Sequence, residues 1–236
     1  MQCVILAGGL GTRMWPRART VPKTMLPVAG HPFAHWQLRW LADSGVTSVV
    51  YCVGYLGSQV RDYVADGAAW GLQVDYVDEG AALRGTAGAL RLALDQGVLQ
   101  EHFLVLYGDS YLQIDPAAVH AAAITAGAPA LMTVYENSGR WDTSNVVLEG
   151  DRVRRYDKGV SPVPTEMRWI DYGLSVIERD LVARRVVPDE VADLAPVMAT
   201  LAHQGDLAAY LATERFYEIG SPEGLAEVEE ALAGSA

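Results

Sequence analysis

Short apolar runs alternate with helical stretches along roughly the first 135 residues of this 236-residue chain. Most of the runs are rich in aliphatic and β-branched residues, which is typical of strands that are buried on both faces of a sheet. The alternation predicts an α/β fold with a mainly parallel sheet and helices on both of its faces. The predicted strands are Cys3–Ala7, Ser48–Val53, Leu72–Val77, His102–Tyr107 and Ala130–Tyr135, and the predicted helices are Pro32–Asp43, Ser58–Ala65, Thr86–Leu94 and Pro116–Ala126.

The pattern changes beyond about residue 140. Two short runs, Val146–Leu148 and Val153–Tyr156, flank a polar turn, and this arrangement predicts a β-hairpin. The remaining predicted elements are a strand at Trp169–Ile177, a helix near Val191–His203, a run at Leu207–Ala212 and a helix at Pro222–Leu232. Because no linker rich in Pro, Gly or Ser interrupts the chain, we expect residues 1–236 to form one domain whose second part makes the sheet mixed.

The charge balance excludes several classes of partner. Lysine and arginine number 18 and aspartate and glutamate number 29, which gives a formal net charge of −11. Duplex nucleic acids and anionic membranes are bound through clustered cations, so we expect neither as a partner. The two cysteines, Cys3 and Cys52, lie in predicted strands and form no metal-binding pattern, which favours buried, reduced thiols.

Two further patterns concern the location of the protein. No apolar run approaches the roughly 20 residues that a membrane-spanning helix needs. The amino-terminal sequence lacks the basic opening and apolar core that are typical of a signal peptide. We therefore expect a soluble, cytoplasmic protein.

A cluster of glycines follows the first predicted strand, in the segment Gly8-Gly9-Leu10-Gly11-Thr12-Arg13. Ligands of open α/β sheets bind beyond the carboxyl ends of the strands, and glycines let backbone N–H groups approach an anion closely. The cluster is not a dinucleotide-binding loop, because Met14 stands where the third glycine would be needed. It is not a Walker loop either, because the required glycines do not precede Lys23.

Four cationic side chains occur within eleven residues of this otherwise acidic chain, at Arg13, Arg17, Arg19 and Lys23. Two prolines in the same stretch exclude a continuous helix. A glycine-started loop that carries several cations suits a triphosphate or a pyrophosphate. The residues alone leave open the alternative of a solvated surface loop with scattered arginines.

Two segments, Leu6–Met14 and Pro22–Val28, closely resemble the signature of the sugar-1-phosphate nucleotidyltransferases. Further segments that resemble this family are Val53–Val60, Gly85–Leu90, Tyr107–Ser110 and Phe216–Pro222. The resemblance implies a Rossmann-like, doubly wound, mixed sheet of the nucleotidyltransferase/glycosyltransferase-A type, without a β-helical domain. It also implies that residues 1–135 form a nucleotide-binding part and residues 136–236 a part for the sugar and a second metal ligand.

Members of this family join a nucleoside triphosphate to a sugar 1-phosphate and release pyrophosphate. The attacking phosphate oxygen is already an anion, so catalysis consists of positioning and charge neutralisation. The resemblance implies that Arg13 holds the leaving pyrophosphate and that Lys23 lies near the α-phosphate. It further implies a Mg²⁺ ion bound by Asp109 and by Glu218, which stands where the family more often has aspartate. An aspartate that caps a turn is the alternative for Asp109.

The resemblance also implies a set of contacts to the nucleotide. These residues are Leu6, Ala7, Gly8, Gly9, Gly11, Thr12, Gly85, Thr86 and Asp109. A carboxylate at Asp78 or Glu79 could accept hydrogen bonds from the two donor positions of guanine, which would favour GTP. The alternative is that both are ordinary acidic residues at an exposed strand end.

The resemblance implies that four residues between positions 136 and 236 bind the sugar 1-phosphate. Lys158 occupies the place of the lysine in the family's Glu-Lys-Pro segment and would hold the phosphate, although the proline is missing here. The turn from Asp171 to Gly173 resembles the family's Asn-x-Gly turn, which meets sugar hydroxyls, and Asn145 is assigned the same role. Local hydrogen bonding within turns is the alternative for Asn145 and Asp171.

The predicted function is the condensation of GTP with a mannose-like or heptose 1-phosphate. The next alternative is a uridylyltransferase that uses UTP and an N-acetylmuramate- or glucose-type 1-phosphate. A different phosphorylated acceptor and a non-catalytic sugar-nucleotide sensor are further alternatives. The joint presence of Arg13, Lys23 and Asp109 argues against a sensor, which needs no leaving-group clamp. The sequence makes no prediction of the oligomeric state.

Overall fold

The computed structural model of the protein describes residues 1–14, 19–137 and 139–233. Its strands are β1 Gln2–Leu6, β2 Pro27–Val28, β3 His31–Pro32, β4 Ser48–Val53, β5 Gln73–Asp78, β6 His102–Tyr107, β7 Ser110–Tyr111, β8 Ala130–Glu136, β9 Val146–Glu149, β10 Arg152–Tyr156, β11 Trp169–Glu178, β12 Leu207–Ala212 and β13 Tyr217–Glu218. Its α-helices are α1 Phe33–Asp43, α2 Gly57–Val64, α3 Gly85–Asp95, α4 Pro116–Ala126, α5 Arg179–Arg185, α6 Leu194–Gln204 and α7 Pro222–Ala233. Within these described ranges, no helix has the length and apolar character that a membrane crossing requires.

Nine of the strands form one mixed sheet in the order β5-β4-β1-β6-β11-β8-β12-β10-β9. The strands β5, β4, β1 and β6 are parallel to one another. Strand β11 runs antiparallel to both of its neighbours, β6 and β8, and β12 is parallel to β8. The hairpin β9–β10 completes the far side of the sheet. The predicted mixed α/β sheet is therefore confirmed, and its parallel region is the part that contains β1.

Alternating side chains of the central strands build two hydrophobic cores, one on each face of the sheet. In β4, Val49 and Tyr51 belong to one core, and Val50 and Cys52 belong to the other. Helices α1, α2 and α4 cover the first face, while α3, α5 and α6 cover the second. Cys3 and Cys52 are buried and free, and burial raises the pKa of both thiols, as expected for structural rather than reactive cysteines.

The predicted elements agree with the structure to within a few residues, and the main differences have local causes. Helix α6 begins at Leu194 rather than near residue 191, because the preceding residues lie against the start of α3. The backbone oxygen of Ala192 accepts hydrogen bonds from the N–H groups of Ala87 (2.9 Å) and Gly88 (3.0 Å). Helix α5 and the two-residue strands were not predicted, because they are too short to show a hydrophobic period.

The strand directions bring the carboxyl ends of β5, β4, β1 and β6 to the same edge of the sheet. The residues that follow these strands include Glu79, Gly54, Ala7 and Gly108. Because β11 is antiparallel to β6, its first residues reach this edge as well. Two short strands, β7 and β13, pair next to it and place Glu218 opposite Ser110. We refer to this region as the carboxyl edge.

Asp115 caps the amino end of α4, since its Oδ1 atom accepts a hydrogen bond of 2.9 Å from the N–H group of Ala117. Replacing Asp115 by alanine should lower the free energy of unfolding by about 1 kcal/mol. For a chain of this size, that loss corresponds to a melting temperature lower by roughly 2–4 °C, measurable by calorimetry. Asp115→Asn is the matched control, because asparagine keeps the acceptor. Equal losses in both variants would contradict the capping role.

Candidate active site

A pocket of about 320 Å³ lies at the carboxyl edge. It brings together ten residues that the sequence analysis assigned to the nucleotide or to catalysis, namely Leu6, Ala7, Gly8, Gly9, Gly11, Lys23, Glu79, Gly85, Thr86 and Asp109. It also contains residues to which the sequence analysis gave no role, namely Thr24, Leu83, Ala89, Tyr107, Gly108 and Asp193. The pocket therefore joins the loop after β1, the start of α3 and the end of β6.

The glycine loop after β1 lines this pocket with Gly8, Gly9 and Gly11. Within the described part of the chain, the N–H groups of residues 8–11 donate no hydrogen bond. Gly11 has a φ of +61°, a conformation that favours glycine, and a short 3-10 turn, Thr12–Met14, follows it. Unpartnered N–H groups in a turn of this kind suit the oxygens of a phosphate chain.

The predictions for Thr12, Arg13 and Arg17 in this loop have different outcomes. Thr12 is exposed and begins the 3-10 turn, next to the residues that line the pocket. The side chain of Arg13 and the whole of Arg17 lie outside the described residues. The role predicted for Arg13 therefore stays a prediction.

Lys23 and Asp109 form an ion pair in the pocket, with 2.6 Å between Nζ and Oδ2. Their side chains are only 17% and 23% exposed, respectively, although the residues lie far apart in sequence. Lys23 begins a 3-10 turn, Lys23–Met25, and Asp109 follows Gly108 at the end of β6. A cation and a carboxylate thus meet at the end of the pocket where the loop after β6 enters it.

Glu218 lies beside Asp109 through the pairing of β7 and β13. The N–H group of Ile219 donates to the backbone oxygen of Asp109 at 2.9 Å, and Glu218 is the register partner of Ser110. Carboxylate oxygens are hard donors that suit Mg²⁺, which commonly takes one or two carboxylates together with substrate phosphates. Within residues 1–14, 19–137 and 139–233 there is no group of three or more potential ligands. The donor set therefore fits a divalent cation that is completed by a bound substrate.

Glu79 lies at the opposite end of the pocket, after the edge strand β5. Its Oε2 atom accepts a hydrogen bond of 2.7 Å from the N–H group of Arg84, and its Oε1 atom lies against Gly8. A β-carbon added to Gly8 would clash with that oxygen, so a larger residue at this position would displace the carboxylate. Burial raises the pKa of Glu79, and the hydrogen bond from Arg84 opposes this shift. The other predicted candidate, Asp78, instead pairs with Arg61 at 3.2 Å outside the pocket lining.

The start of α3 is covered by residues 192–194 from the second half of the chain. The Thr86 hydroxyl oxygen accepts a hydrogen bond of 2.7 Å from the N–H group of Leu194. The Oδ1 atom of Asp193 lies 3.4 Å from the Thr86 nitrogen and also lines the pocket. Asp193 is thus a second carboxylate of the pocket lining, next to Thr86, and no local sequence pattern marks it.

Asn145, Asp171 and Gly173, which were predicted to contact the sugar, hydrogen-bond to one another. The Asn145 Oδ1 atom accepts from the N–H group of Asp171 at 2.9 Å, and the N–H group of Gly173 donates to Asp171 Oδ1 at 3.1 Å. The bond between Asp171 and Gly173 is a local turn hydrogen bond of the kind that the sequence left open as the alternative, whereas the bond between Asn145 and Asp171 joins two distant segments of the chain. Lys158 lies 3.4 Å from Asp171 and 4.9 Å from the ring centre of Tyr107, which lines the pocket.

Comparison with known proteins identifies the fold and the family. The model of the family described as "Nucleotidyl transferase" matches residues 2–149. The chain belongs to the nucleotidyl transferase family. An N-acetylmuramate alpha-1-phosphate uridylyltransferase of Neisseria meningitidis is 31% identical to this nucleotidyltransferase. The match covers 100% of the present chain and 99% of the Neisseria protein. A mannose-1-phosphate guanylyltransferase of Mycobacterium tuberculosis is 28% identical over 94% of the chain and 62% of the relative.

Solved structures show the same fold as this nucleotidyltransferase. HddC from Yersinia pseudotuberculosis superimposes with a TM-score of 0.80 at 23% identity, covering 98% of this chain and 99% of that one. A UDP-glucose pyrophosphorylase superimposes with a TM-score of 0.79 at 19% identity, covering 100% of this chain and 99% of that one. The predicted fold class and the predicted sugar-1-phosphate nucleotidyltransferase family are therefore confirmed.

The Lys23–Asp109 pair predicts a link between thermal stability and metal binding. Lys23→Met leaves a mostly buried carboxylate without its cation, so the variant should melt below the wild-type protein in the presence of EDTA. A divalent cation at Asp109 would replace the lost charge, so Mn²⁺ should raise the melting temperature of Lys23→Met more than that of the wild type. Scanning calorimetry measures both effects.

The control for this experiment is Lys23→Met combined with Asp109→Asn, which lacks both charges. This double variant should gain little stability from Mn²⁺. An equal gain in the single and the double variant would place the bound metal away from Asp109.

Proposed function

We propose that this enzyme joins GTP to a mannose-like or heptose 1-phosphate in a Mg²⁺-dependent reaction that releases pyrophosphate. One observation carries the proposal. A single pocket holds, along one edge of the sheet, a carboxylate-lined end, a glycine loop and a lysine–aspartate pair. This order matches the base, the phosphates and the reacting phosphorus of a bound nucleoside triphosphate.

The residues of the pocket can drive the transfer without a general base. A phosphate oxygen of the sugar 1-phosphate forms a bond to the α-phosphorus, while the bond from that phosphorus to the bridging oxygen breaks and pyrophosphate leaves. The nucleophile is already ionised, so positioning and charge neutralisation suffice. Mg²⁺, bound by Asp109 with Glu218, would supply positive charge at the triphosphate when present.

The cationic side chains have distinct tasks in this scheme. Lys23 neutralises charge near the α-phosphate, and the N–H groups of residues 8–11 bind the phosphate chain. Lys158 receives the phosphate of the sugar from the other side, because it lies over Tyr107 at the pocket wall. Arg13 is proposed to hold the leaving pyrophosphate, on the strength of the signature motif. Local positive charge of this kind is needed in a chain whose net charge is −11.

The base end of the pocket supports guanine. Glu79 and Asp193 both line the pocket, and carboxylate oxygens accept hydrogen bonds but cannot donate them when ionised. Guanine presents two adjacent N–H donors on one edge, whereas uracil presents a single N–H between two carbonyl oxygens. A carboxylate attracts the first arrangement and repels the flanking oxygens of the second. Guanylyltransferases are also among the relatives, including one that acts on D-glycero-alpha-D-manno-heptose 1-phosphate.

A UTP-dependent enzyme is the second candidate, and one comparison favours it. The relative that this chain matches over 99% of its length is named a uridylyltransferase that acts on N-acetylmuramate 1-phosphate. Pyrophosphate release decides between the candidates when the four nucleoside triphosphates are each combined with mannose, heptose, glucose and N-acetylmuramate 1-phosphates. Activity with GTP and a mannose-like or heptose acceptor is the expected result.

Removing either charge of the Lys23–Asp109 pair should lower the turnover number. We expect Lys23→Ala and Asp109→Asn each to reduce kcat by roughly 10²-fold or more, as for loss of one electrostatic stabiliser. Stopped-time pyrophosphate assays measure the change. The matched control is Asp78→Asn, which removes an exposed carboxylate outside the pocket lining and should retain kcat. Near-normal turnover in either pair variant would refute this placement of the reacting phosphates.

Glu79→Gln should weaken selection of the nucleobase. We expect kcat/KM for GTP to fall about tenfold, as for loss of a hydrogen bond to a charged group, while kcat/KM for UTP changes less. The variant should not lose thermal stability, because it removes a carboxylate whose raised pKa shows that its ionised form is disfavoured in the folded chain. An unchanged ratio of GTP to UTP activity would remove Glu79 from base recognition.

Two glycine variants provide a control for this experiment. In Gly8→Ala, the added β-carbon would displace the Glu79 carboxylate, so the GTP-to-UTP ratio should fall as in Glu79→Gln. Gly9 has open space around its α-carbon, so Gly9→Ala leaves Glu79 in place. Any effect of Gly9→Ala should therefore apply equally to all four triphosphates.

A further inference from the structure

A network of charged and aromatic side chains borders the pocket on the side of β10 and β11. Its members are Tyr107, Tyr156, Lys158 and Asp171, which we call the Lys158 network. The Asp171 side chain is 6% exposed and that of Lys158 is 45% exposed. A buried carboxylate thus anchors a lysine whose side chain is partly exposed.

Both oxygens of Asp171 are engaged within the protein. The Oδ1 atom accepts from the N–H group of Gly173 at 3.1 Å. The Oδ2 atom accepts from the Tyr156 hydroxyl at 2.9 Å and lies 3.4 Å from Lys158 Nζ. A carboxylate that is buried and occupied in this way is poorly placed to bind a sugar hydroxyl, which is the role expected from the sequence.

The backbone around Asp171 is held in a specific shape. Its N–H group donates to the side chain of Asn145, and the register of β11 against β8 shifts between Asp171 and Ser175. Gly173, within this irregularity, has a φ of +102°, and a β-carbon added there would lie 3.3 Å from the Ser110 hydroxyl oxygen. The carboxylate is therefore a fixed point beside the strand that follows Asp109.

Lys158 follows β10 on a loop and has a long, flexible side chain that would otherwise sample many rotamers. Its ammonium group lies 4.9 Å from the ring centre of Tyr107 and 6.0 Å from that of Tyr156, within the range of cation–π attraction. Desolvation lowers the pKa of Lys158, but Asp171 and Tyr107 outweigh this effect and raise the pKa above its ordinary value. The side chain is thus kept charged as well as held in place.

We propose that Asp171 and Tyr156 are positioning residues that hold the Lys158 ammonium over Tyr107, where it meets the phosphate of the incoming sugar 1-phosphate. This inference rests on the proposed function of the pocket. It gives Asp171 a role that acts through Lys158 rather than through a contact with the sugar. The Asp171 carboxylate also opposes phosphate binding, because it cancels part of the positive charge that Lys158 offers to the phosphate.

Asp171→Asn therefore has two opposed effects on phosphate binding: it removes a negative charge, and it removes the group that holds Lys158 in place. If charge dominated, removing the carboxylate would strengthen binding of a phosphate. Because we propose that position dominates, KM for the sugar 1-phosphate should rise roughly tenfold while KM for the nucleotide stays unchanged. Tyr156→Phe keeps the ring and removes one hydrogen bond, so its effect should be smaller and in the same direction.

A double-mutant cycle with Lys158→Met separates positioning from direct contact. If Asp171 acts through Lys158, Asp171→Asn should add no further loss in the Lys158→Met background. Additive losses would show that Asp171 contacts the sugar itself and would overturn the proposal. Asp157→Asn is the matched control, because Asp157 is adjacent to Lys158 but pairs with Arg155 at 3.5 Å. It should leave KM for the sugar 1-phosphate unchanged.

Calorimetric binding of mannose 1-phosphate distinguishes failure of this proposal from failure of the proposed function. Weaker binding to Asp171→Asn than to the wild type, with unchanged melting temperature, supports the proposal. Equal or tighter binding to Asp171→Asn overturns it even if the wild type turns over. Binding without turnover for the whole substrate panel overturns the proposed function alone, and a wild type that does not bind the sugar 1-phosphate overturns both.

Discussion

Parallel pairing of β4, β1 and β6 determines where the polar groups of the site lie. Three parallel strands that end at one level leave their loops side by side, so the glycine loop, Gly54 and Asp109 share one edge of the sheet. The strands themselves are almost entirely apolar and buried. Hydrophobic burial therefore sets the positions of groups that are too polar to be part of the core.

Charge compensation is the second constraint at this edge. The two lysines of the site, Lys23 and Lys158, are each paired with an aspartate, Asp109 and Asp171. The first pair keeps a cation in a pocket with little solvent exposure, and the second holds Lys158 beside Tyr107 at the pocket wall. Under the proposed function, polyanionic substrates and a divalent cation would redistribute these partners and exchange one set of ion pairs for another.

Much of the fold and part of the site could be predicted from the sequence, because both leave local patterns. The alternation of strands and helices indicated the sheet, and contiguous motifs indicated Gly8, Lys23 and Asp109. The contacts of Asp193 with Thr86 and of Asp171 with Lys158 were not predicted, because they join segments that no spacing relates. The choice between Asp78 and Glu79 also needed the structure, since neighbouring residues at a strand end point in different directions.

The place of β11 in the sheet has a consequence for how the two parts of the chain depend on each other. Although the family model covers residues 2–149, β11 comes from residues 169–178 and lies between β6 and β8. A shorter chain that stopped before β11 would leave β6 with a row of unsatisfied backbone groups, which invites pairing with other molecules. The segment that carries the glycine loop and Asp109 thus gains a paired neighbour on its open side only after the later residues have been added.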